Sequence, residues 1–489
     1  MNKKVVLLAL IFGLTGTGPI WAQQLLKLQD AMQIAAKNSP DIKVVEFNLI
    51  QQQELLKAQE ASYKASFKIN LSPLSYSNDR VWYDLEQEFW TTTNLKSSGN
   101  FNIAQQLPWT DGTITLSNSL YWQQSSIEKY SSTTSKFNNN VRLQFDQPLF
   151  TYNHMKLELN SLKLSFENSK LNYNVQMLQL EKSVTTQFYT VYNQQMKLQI
   201  SLEEYNNQIA NFELIKNKVE GGLLSLEELY QAELNLATSK SSWENAKVSL
   251  DNSKDNFKML IGMDIFNEVS VLADPVVDSV PVNMELAIKY ALENRMELRQ
   301  RQISIENAQA SLTQTKANNA FQGNLSLSVG LVGDDSNLAE IYHVPTDNEQ
   351  VALSLQIPIF DWGERKARIK ASETQIETQK INYEDQKNTI VQTIRQSYRN
   401  LQNLLNQITI AEQNVKNAQL TYDINKERYA NGDLTGMDLS LYQSQLSSKK
   451  LDMINAQINY KLEILNMKIQ TLYDWETKTS IVPSEYKKN

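Results

Sequence analysis

Residues 351–359 alternate between two characters. Val351, Leu353, Leu355, Ile357 and Ile359 are apolar, and Ala352, Ser354, Gln356 and Pro358 stand between them. A period of two predicts a strand with one apolar and one milder face. Pro358 has no N–H for a sheet ladder, and Gly363 breaks the pattern. From Glu364 the chain turns charged and Gln-rich, with no Gly or Pro until Gly432. This predicts a strand feeding a helix of up to ~68 residues, roughly 100 Å at 1.5 Å per residue.

The rest of the chain reads the same way. Residues 25–38 fit a short amphipathic helix with Leu25, Leu28, Met32 and Ala35 or Ala36 inward. Ser39 and Pro40 stop it and start a second helix over 41–65, as N-cap and first helical residue. Phe67, Ile69 and Leu71 alternate with Lys68, Asn70 and Ser72, which predicts a strand over about 67–76. Residues 79–122 are rich in Ser, Thr and Asn and hold Trp82, Trp90, Trp109 and Trp122. Within them Asp111-Gly112 predicts the turn of a hairpin over about 99–122. Val141, Leu143 and Phe145 alternate with Arg142, Gln144 and Asp146, giving a strand over about 141–149. Residues 149–220 again lack Gly and Pro, and Leu178, Val184, Phe188, Val191, Met196, Leu202, Ile209 and Phe212 trace a coiled-coil-like seam. Gly221-Gly222 closes that helix and another covers 225–261. After a Pro-bounded linker come helices at 284–294 and 296–321, a strand at about 325–331, a polar loop at 333–348, the strand at 351–359, the long helix, and a return helix over 437–475.

The two halves repeat. VRLQFDQPLF at 141 matches VALSLQIPIF at 351, and Gly222, Leu224, Ser225, Glu228 and Leu229 match Gly432, Leu434, Thr435, Asp438 and Leu439, all at an offset of 210. Upstream, Ala31, Asn38 and Asp41 match Ala287, Asn294 and Glu297 at an offset of 256. The difference, 256 less 210, leaves 46 extra residues in the first half, between Ala65 and Val141. So long a period marks one duplicated supersecondary unit. Residues 23–273 form the first repeat, 274–283 a linker, 284–476 the second repeat and 477–489 a tail. Strands are expected only where a medium helix gives way to a long one, at one end of the bundle. The glycine turns are expected at the other.

Composition narrows the function classes. Only 14 Gly and 10 Pro in 489 residues fit few turns and long elements. The net charge of −7, with no basic cluster, argues against nucleic acid as partner. The absence of cysteine excludes disulfides and thiolate metal sites, and His154 and His343 alone make no metal centre or triad. There is no P-loop and no nucleophile–base set, so no enzyme and no cofactor are expected. Residues 1–22 read as a signal peptide: Lys3 and Lys4, then an apolar core, then small residues. Beyond them no apolar run is long enough for a spanning helix. A membrane would be crossed only by a β-barrel. The strands, apolar on one side and polar on the other, suit that role, but one chain brings too few of them, since about eight are needed. Several copies must then close the wall, in cyclic symmetry.

The duplicated order of helix, helix, strand, strand, helix, helix, the Pro-Leu-Phe and Pro-Ile-Phe steps, and the G-x-L-[ST] turns resemble TolC-like outer membrane factors. The resemblance covers the whole mature chain. It implies a mainly α fold with a small β portion: long helical hairpins forming a periplasmic coiled-coil tunnel, and strands contributing to a trimeric 12-stranded outer-membrane barrel. It implies a homotrimer in outer-membrane lipid that serves as the exit duct of a tripartite efflux or type I secretion system, opened by a periplasmic adaptor and an inner-membrane transporter. By this resemblance Gly222, Leu224, Ser225, Gly432, Leu434 and Thr435 form the adaptor-docking tips. Glu228 and Asp438 stand where the family lines its closed aperture with acids, Tyr429 matches a tyrosine that holds it shut, and Asp433 or Glu227 joins the network. The chain departs from the family at Leu434 and Leu441, where a well-known gate has arginine and aspartate.

Plainer readings stand beside these. Acids near helix N-termini also suit the helix dipole. Asp334-Asp335 reads as a polar loop before a calcium site. Tryptophans 82, 90, 109 and 122 fit an interfacial girdle or loop packing. The alternative function is a periplasmic adaptor-like or structural coiled-coil scaffold, which would lack membrane-facing strands in both halves.

Overall fold

A computed structural model describes residues 24–85, 87–128, 132–274 and 277–483. The signal-peptide expectation at 1–22 lies outside them, as do parts of the linker and tail. In order the elements are β1 (Gln24–Leu26), α1 (Leu28–Asn38), α2 (Pro40–Ser62), β2 (Ser66–Tyr83), β3 (Glu88–Leu107), β4 (Gly112–Ile127), β5 (Ser132–Leu149), α3 (His154–Glu220), α4 (Leu226–Ile261), β6 (Val269–Val271), α5 (Met284–Asn294), α6 (Met296–Asn318), β7 (Gln322–Asp335), β8 (Thr346–Gln356), α7 (Glu364–Asn431), α8 (Gly436–Thr471), β9 (Tyr473–Asp474) and β10 (Thr479–Ser480). The fold class is mainly α with a smaller β portion, as expected. The helix predicted after Gly363 is 68 residues long.

Contacts divide the chain into two compact units. One gathers Asn174–Arg295, Ile390 onward and the described residues up to Val45; the other gathers Glu46–Tyr173 and Met296–Thr389. In the first unit, Val184, Phe188 and Val191 are buried on α3, and Ile390, Ile394 and Leu401 on α7, at the three-, four- and seven-residue spacings of a seam. Phe188 meets the ring of Phe257 from α4 edge-on at 6.1 Å. Each such buried side chain stabilises the fold by about 1.5–3 kcal/mol. The seam is only partly covered, since Leu202 stays 39% exposed. Ala287 and Ala291 on α5 are fully buried. Tyr290 on the same helix stacks on Tyr473 at 4.8 Å, beside Trp475. Gly262 ends α4 at φ 69°, where a Cβ would strike the Asn38 carbonyl.

Two short pairs correct the expectation that strands occur only between medium and long helices. β1 pairs in parallel with β6, and β9 pairs with β10. At three and two residues each, they are too short to show a period in sequence.

The second unit holds one antiparallel sheet of six strands in the order β2-β3-β4-β5-β7-β8. Every predicted strand is present and longer than its alternating core. β2 runs to Tyr83, with a register slip between Ser72 and Ser75 where Pro73 withholds its N–H. β8 stops at Gln356, before Pro358, rather than reaching 359. A twelve-stranded trimer asks four strands of each chain. The two beyond four, β3 and β4, are the predicted hairpin, set between β2 and β5. Its connection is a four-residue turn, 108–111, in which Leu107 O accepts from both Thr110 N and Asp111 N, and Asp111 takes φ 68°. The helices of this unit are tied by Arg299. Its Nε and Nη2 donate to the two oxygens of Glu167 at 2.6 and 2.9 Å, and its Nη1 donates to Glu306 at 2.7 Å.

Candidate functional site

The candidate residues fall in two regions, one in each unit. The first is the sheet. Successive rows across it alternate sharply in character. Phe67, Ile103, Leu116, Leu143 and Val329 are direct cross-strand neighbours from β2 to β7. One residue along, the row is Lys68, Asn102, Ser117, Arg142 and Gly330. A third row, Ile114, Phe145, Leu327 and Val351, returns to the apolar face. The pleat puts alternate rows on opposite faces, so these apolar side chains share one face, which also carries Gln105, Asn118, Asn139 and Glu349, and the row from Lys68 to Gly330 lies on the other. Among the described residues nothing covers the apolar rows: Phe67, Leu116, Leu143, Val329 and Val351 are all exposed. The 3-10 turn Glu340–Tyr342 lies in the β7–β8 connection. Asp334 and Asp335 close β7 rather than lying in a loop; Asp334 pairs with Lys136 at 3.2 Å, and Asp335 accepts from Asn337 N, so both carboxylates have protein partners.

Aromatic residues flank the sheet. At the ends of β2 and β3, Trp82 meets Phe89 at 4.9 Å. At the helix-proximal end, Trp109 occupies the hairpin turn, Phe150 touches Phe321, and Phe360 touches Trp362. Trp109, Phe150, Phe360 and Trp362 are exposed. Trp122 sits instead within β4, its Nε1 donating to Ser135 Oγ at 2.7 Å.

The second region is the pair of glycine turns. α3 and α7 end in the same motif. Leu223 N donates to Lys218 O and Gly222 N to Val219 O; Asp433 N donates to Arg428 O and Gly432 N to Tyr429 O. Gly222 and Gly432 take φ 72° and 87°, a region that favours glycine. After the turn, Thr435 Oγ1 accepts from Asp438 N at 3.2 Å and donates to Asp438 Oδ2 at 2.8 Å, capping α8. Ser225 occupies the N-cap of α4 without a side-chain cap bond.

A cavity of about 600 Å³ lies at these turns. Of the residues expected there, Leu224, Glu228, Tyr429, Gly432, Asp433, Leu434, Thr435 and Asp438 line it. Gly222, Ser225 and Glu227 are not among its lining residues. Four lining residues went unread in the sequence: Ile215, Lys218, Arg428 and Gly436. Lys218 and Arg428 stand at the same offset of 210, so the repeat held the signal that could have found them. Tyr429 is the buried centre. Its ring lies under Lys218 Nζ at 5.4 Å, and its hydroxyl has no hydrogen-bond partner among the described residues. Burial, then the Glu228 carboxylate, pushes its phenol pKa up. A Cβ on Gly436 would come within 3.1 Å of Ile215 and 3.7 Å of the Tyr429 hydroxyl, so the glycine lets the start of α8 approach both.

Residues 287–466 match the family model described as outer membrane efflux protein. The match covers 180 of the 489 residues, in the second repeat. Over 264 residues it is 22% identical to outer membrane protein TolC of Escherichia coli strain K12, covering 50% of this chain and 52% of that protein. It thus spans about half the length of this curated relative. Against the cation efflux system protein CusC of Escherichia coli O157:H7 it is 19% identical over 353 residues, covering 70% of this chain and 73% of that one. The crystal structure of the Campylobacter jejuni CmeC outer membrane channel superposes with a TM-score of 0.70 at 16% identity, over 91% of this chain and 85% of that one. At such identity the structural likeness is one of fold. Outer membrane efflux proteins are transport ducts rather than enzymes.

Proposed function

We propose that this protein is an outer membrane efflux protein and the passive exit duct of a tripartite efflux or type I secretion assembly. Three copies close a barrel in outer-membrane lipid, and a periplasmic adaptor and an inner-membrane pump dock on the helical part. The observation that carries this reading is the sheet, whose apolar face is exposed and whose opposite face is polar. Water on both sides would leave that apolar face uncompensated; lipid outside and water inside satisfy both faces. The aromatic residues at both ends of the strands fit interfacial girdles. Exposed Phe47, Ile50 and Leu55 on α2 support a covering copy. The paired helix lengths support the division into two repeats.

The glycine turns serve in this reading as the gate and docking tips. In three copies, Glu228, Asp433 and Asp438 set a ring of carboxylates that favours cations. Lys218 and Arg428 stand among them, so the bias is milder than that of a bare acidic ring. Arg428 supplies a cation near the position where Leu434 lacks the family's arginine.

The test is direct. The protein is expected to fractionate with outer membranes, to run as a trimer in mild detergent and to conduct ions in planar bilayers. Recovery as a soluble periplasmic monomer would sink the reading in favour of a scaffold. At the tip, Asp438→Asn should shift reversal potentials toward lower cation preference; unchanged single-channel records would remove Asp438 from the ring.

A further inference from the structure

The inserted hairpin occupies the middle of the sheet. β2 pairs along its length with β3, and β4 with β5, so no direct β2–β5 ladder exists. Three features mark β3 and β4 as wall rather than appendage. Their side chains keep the phase of the other strands: Ile103 and Leu116 fall in the apolar row between Phe67 and Leu143, and Asn102 and Ser117 in the polar row between Lys68 and Arg142. Their lengths, 20 and 16 residues, exceed the ~9–11 residues a tilted transmembrane strand needs. Their turn is fastened at the strand-to-helix step. Asn153 Nδ2 donates to Pro108 O at 2.6 Å, Met155 N to Asp111 Oδ1 at 2.8 Å, and Gln147 Nε2 to Thr110 O at 2.6 Å. A cap over an outer mouth would need none of these.

Among the described residues the sheet ends in two unpaired edges, β2 and β8. In lipid each unpaired backbone group costs several kcal/mol, so both edges need strands to pair with. Six strands are too few to leave a lumen, since about eight only just accommodate their own side chains. The polar face would then have to pack as a core. The occupant of each edge is therefore a second copy of this chain. Because six is even, β8 of one copy runs antiparallel to β2 of the next, and the alternation continues around the ring without a break.

We infer that the duct of this protein is closed by six strands per copy, eighteen in a trimer, and that the 46-residue insertion exists to widen the barrel. The number of copies rests on the proposed trimer; the six strands per copy do not. Barrel diameter grows roughly in proportion to strand number, so at equal tilt the ring is about 1.5 times as wide as one of twelve, within the range that leaves an aqueous channel. The widening lies in the membrane wall and leaves the helix lengths untouched.

The native chain has no cysteine, which permits a clean test. Single variants Ile103→Cys and Leu116→Cys on the hairpin, Leu143→Cys and Val329→Cys in the same row on β5 and β7, and Leu85→Cys in an exposed connection are placed in lipid vesicles with a water-soluble maleimide. The expected result is loss of labelling at positions 103, 116, 143 and 329 relative to 85, with Asn102→Cys and Ser117→Cys labelled from the lumen. Labelling at 103 and 116 with protection at 143 and 329 overturns the hairpin's place in the wall and leaves the duct intact. Labelling at all four overturns the duct reading itself. A cryo-electron microscopy map of the detergent-solubilised trimer gives the count independently. Eighteen strands are expected, and twelve with residues 88–127 outside the ring would refute the inference.

Discussion

Helices of 11, 23, 67 and 36 residues in the first half of the chain are answered by helices of 11, 23, 68 and 36 in the second. The strands are not matched in this way. To the six-stranded sheet the first half brings four, of 18, 20, 16 and 18 residues; the second brings two, of 14 and 11. Long helices that pack along a shared seam must agree in length, because an overhang leaves apolar positions uncovered. An antiparallel sheet is more tolerant. A hairpin adds two strands and restores the direction of the chain, so the apolar and polar faces stay in phase. Change has accordingly entered this molecule through the sheet and not through the helices.

The largest expected effect tests whether the two groups of strands meet the same surroundings. Leu116→Arg in the first group and Val329→Arg in the second should each destabilise the protein by about 2–4 kcal/mol if lipid covers both. Ser117→Arg on the opposite face should cost under about 1 kcal/mol. Denaturant titration of refolding into vesicles reads all three, and a small loss at Leu116 alone would separate the hairpin from the wall.

Next come the connections. Gly333→Ala places a Cβ against the Ile341 carbonyl in the β7–β8 connection. Gly112→Ala meets the side-chain oxygen of Gln147 at 2.6 Å and Asp146 O at 3.1 Å, the first of which can turn aside more readily than backbone. The first should cost more, about 2–3 kcal/mol against about 1. Thermal unfolding in detergent orders the two, and the reverse order would show the hairpin turn to be the more rigid.

A third comparison concerns the glycine turns, where backbone geometry is shared. Neither Gly222 nor Gly432 has a neighbour within reach of an added Cβ, so only backbone strain counts. Gly222→Ala and Gly432→Ala should each cost about 1 kcal/mol, equally, as faster amide exchange of the adjoining helix ends. The smallest effect separates the caps. Thr435→Ala should weaken the start of α8 by about 1 kcal/mol, while Ser225→Ala leaves α4 nearly unchanged, because only Thr435 makes a side-chain bond to its helix. Exchange at the two N-termini measures it.

Much of this was legible in the chain. The boundaries of α5 and α7, the alternation of four strands, the Asp111 turn and the paired glycine turns followed from periods and punctuation alone. Lys218 and Arg428 escaped because a charged residue near a helix end reads as solvated until a buried ring is found beneath the first and a cavity beside both. Tyr429 was placed by resemblance; its burial and its unpartnered hydroxyl needed coordinates. The β1–β6 pair, with three residues to a strand, offered no pattern to read.

Periodicity is a local property, so the sequence by itself determined which segments are strands or helices, which face of each is apolar, and that the unit occurs twice. Which strands become neighbours depends on contacts between residues far apart, and several pairings satisfy the same alternation. Only the tertiary structure decided that β2 lies beside β3 and β4 beside β5, placing the insertion inside the sheet rather than over it. The free energy that selects that order comes from ladder bonds and cross-strand packing, and no single segment records it.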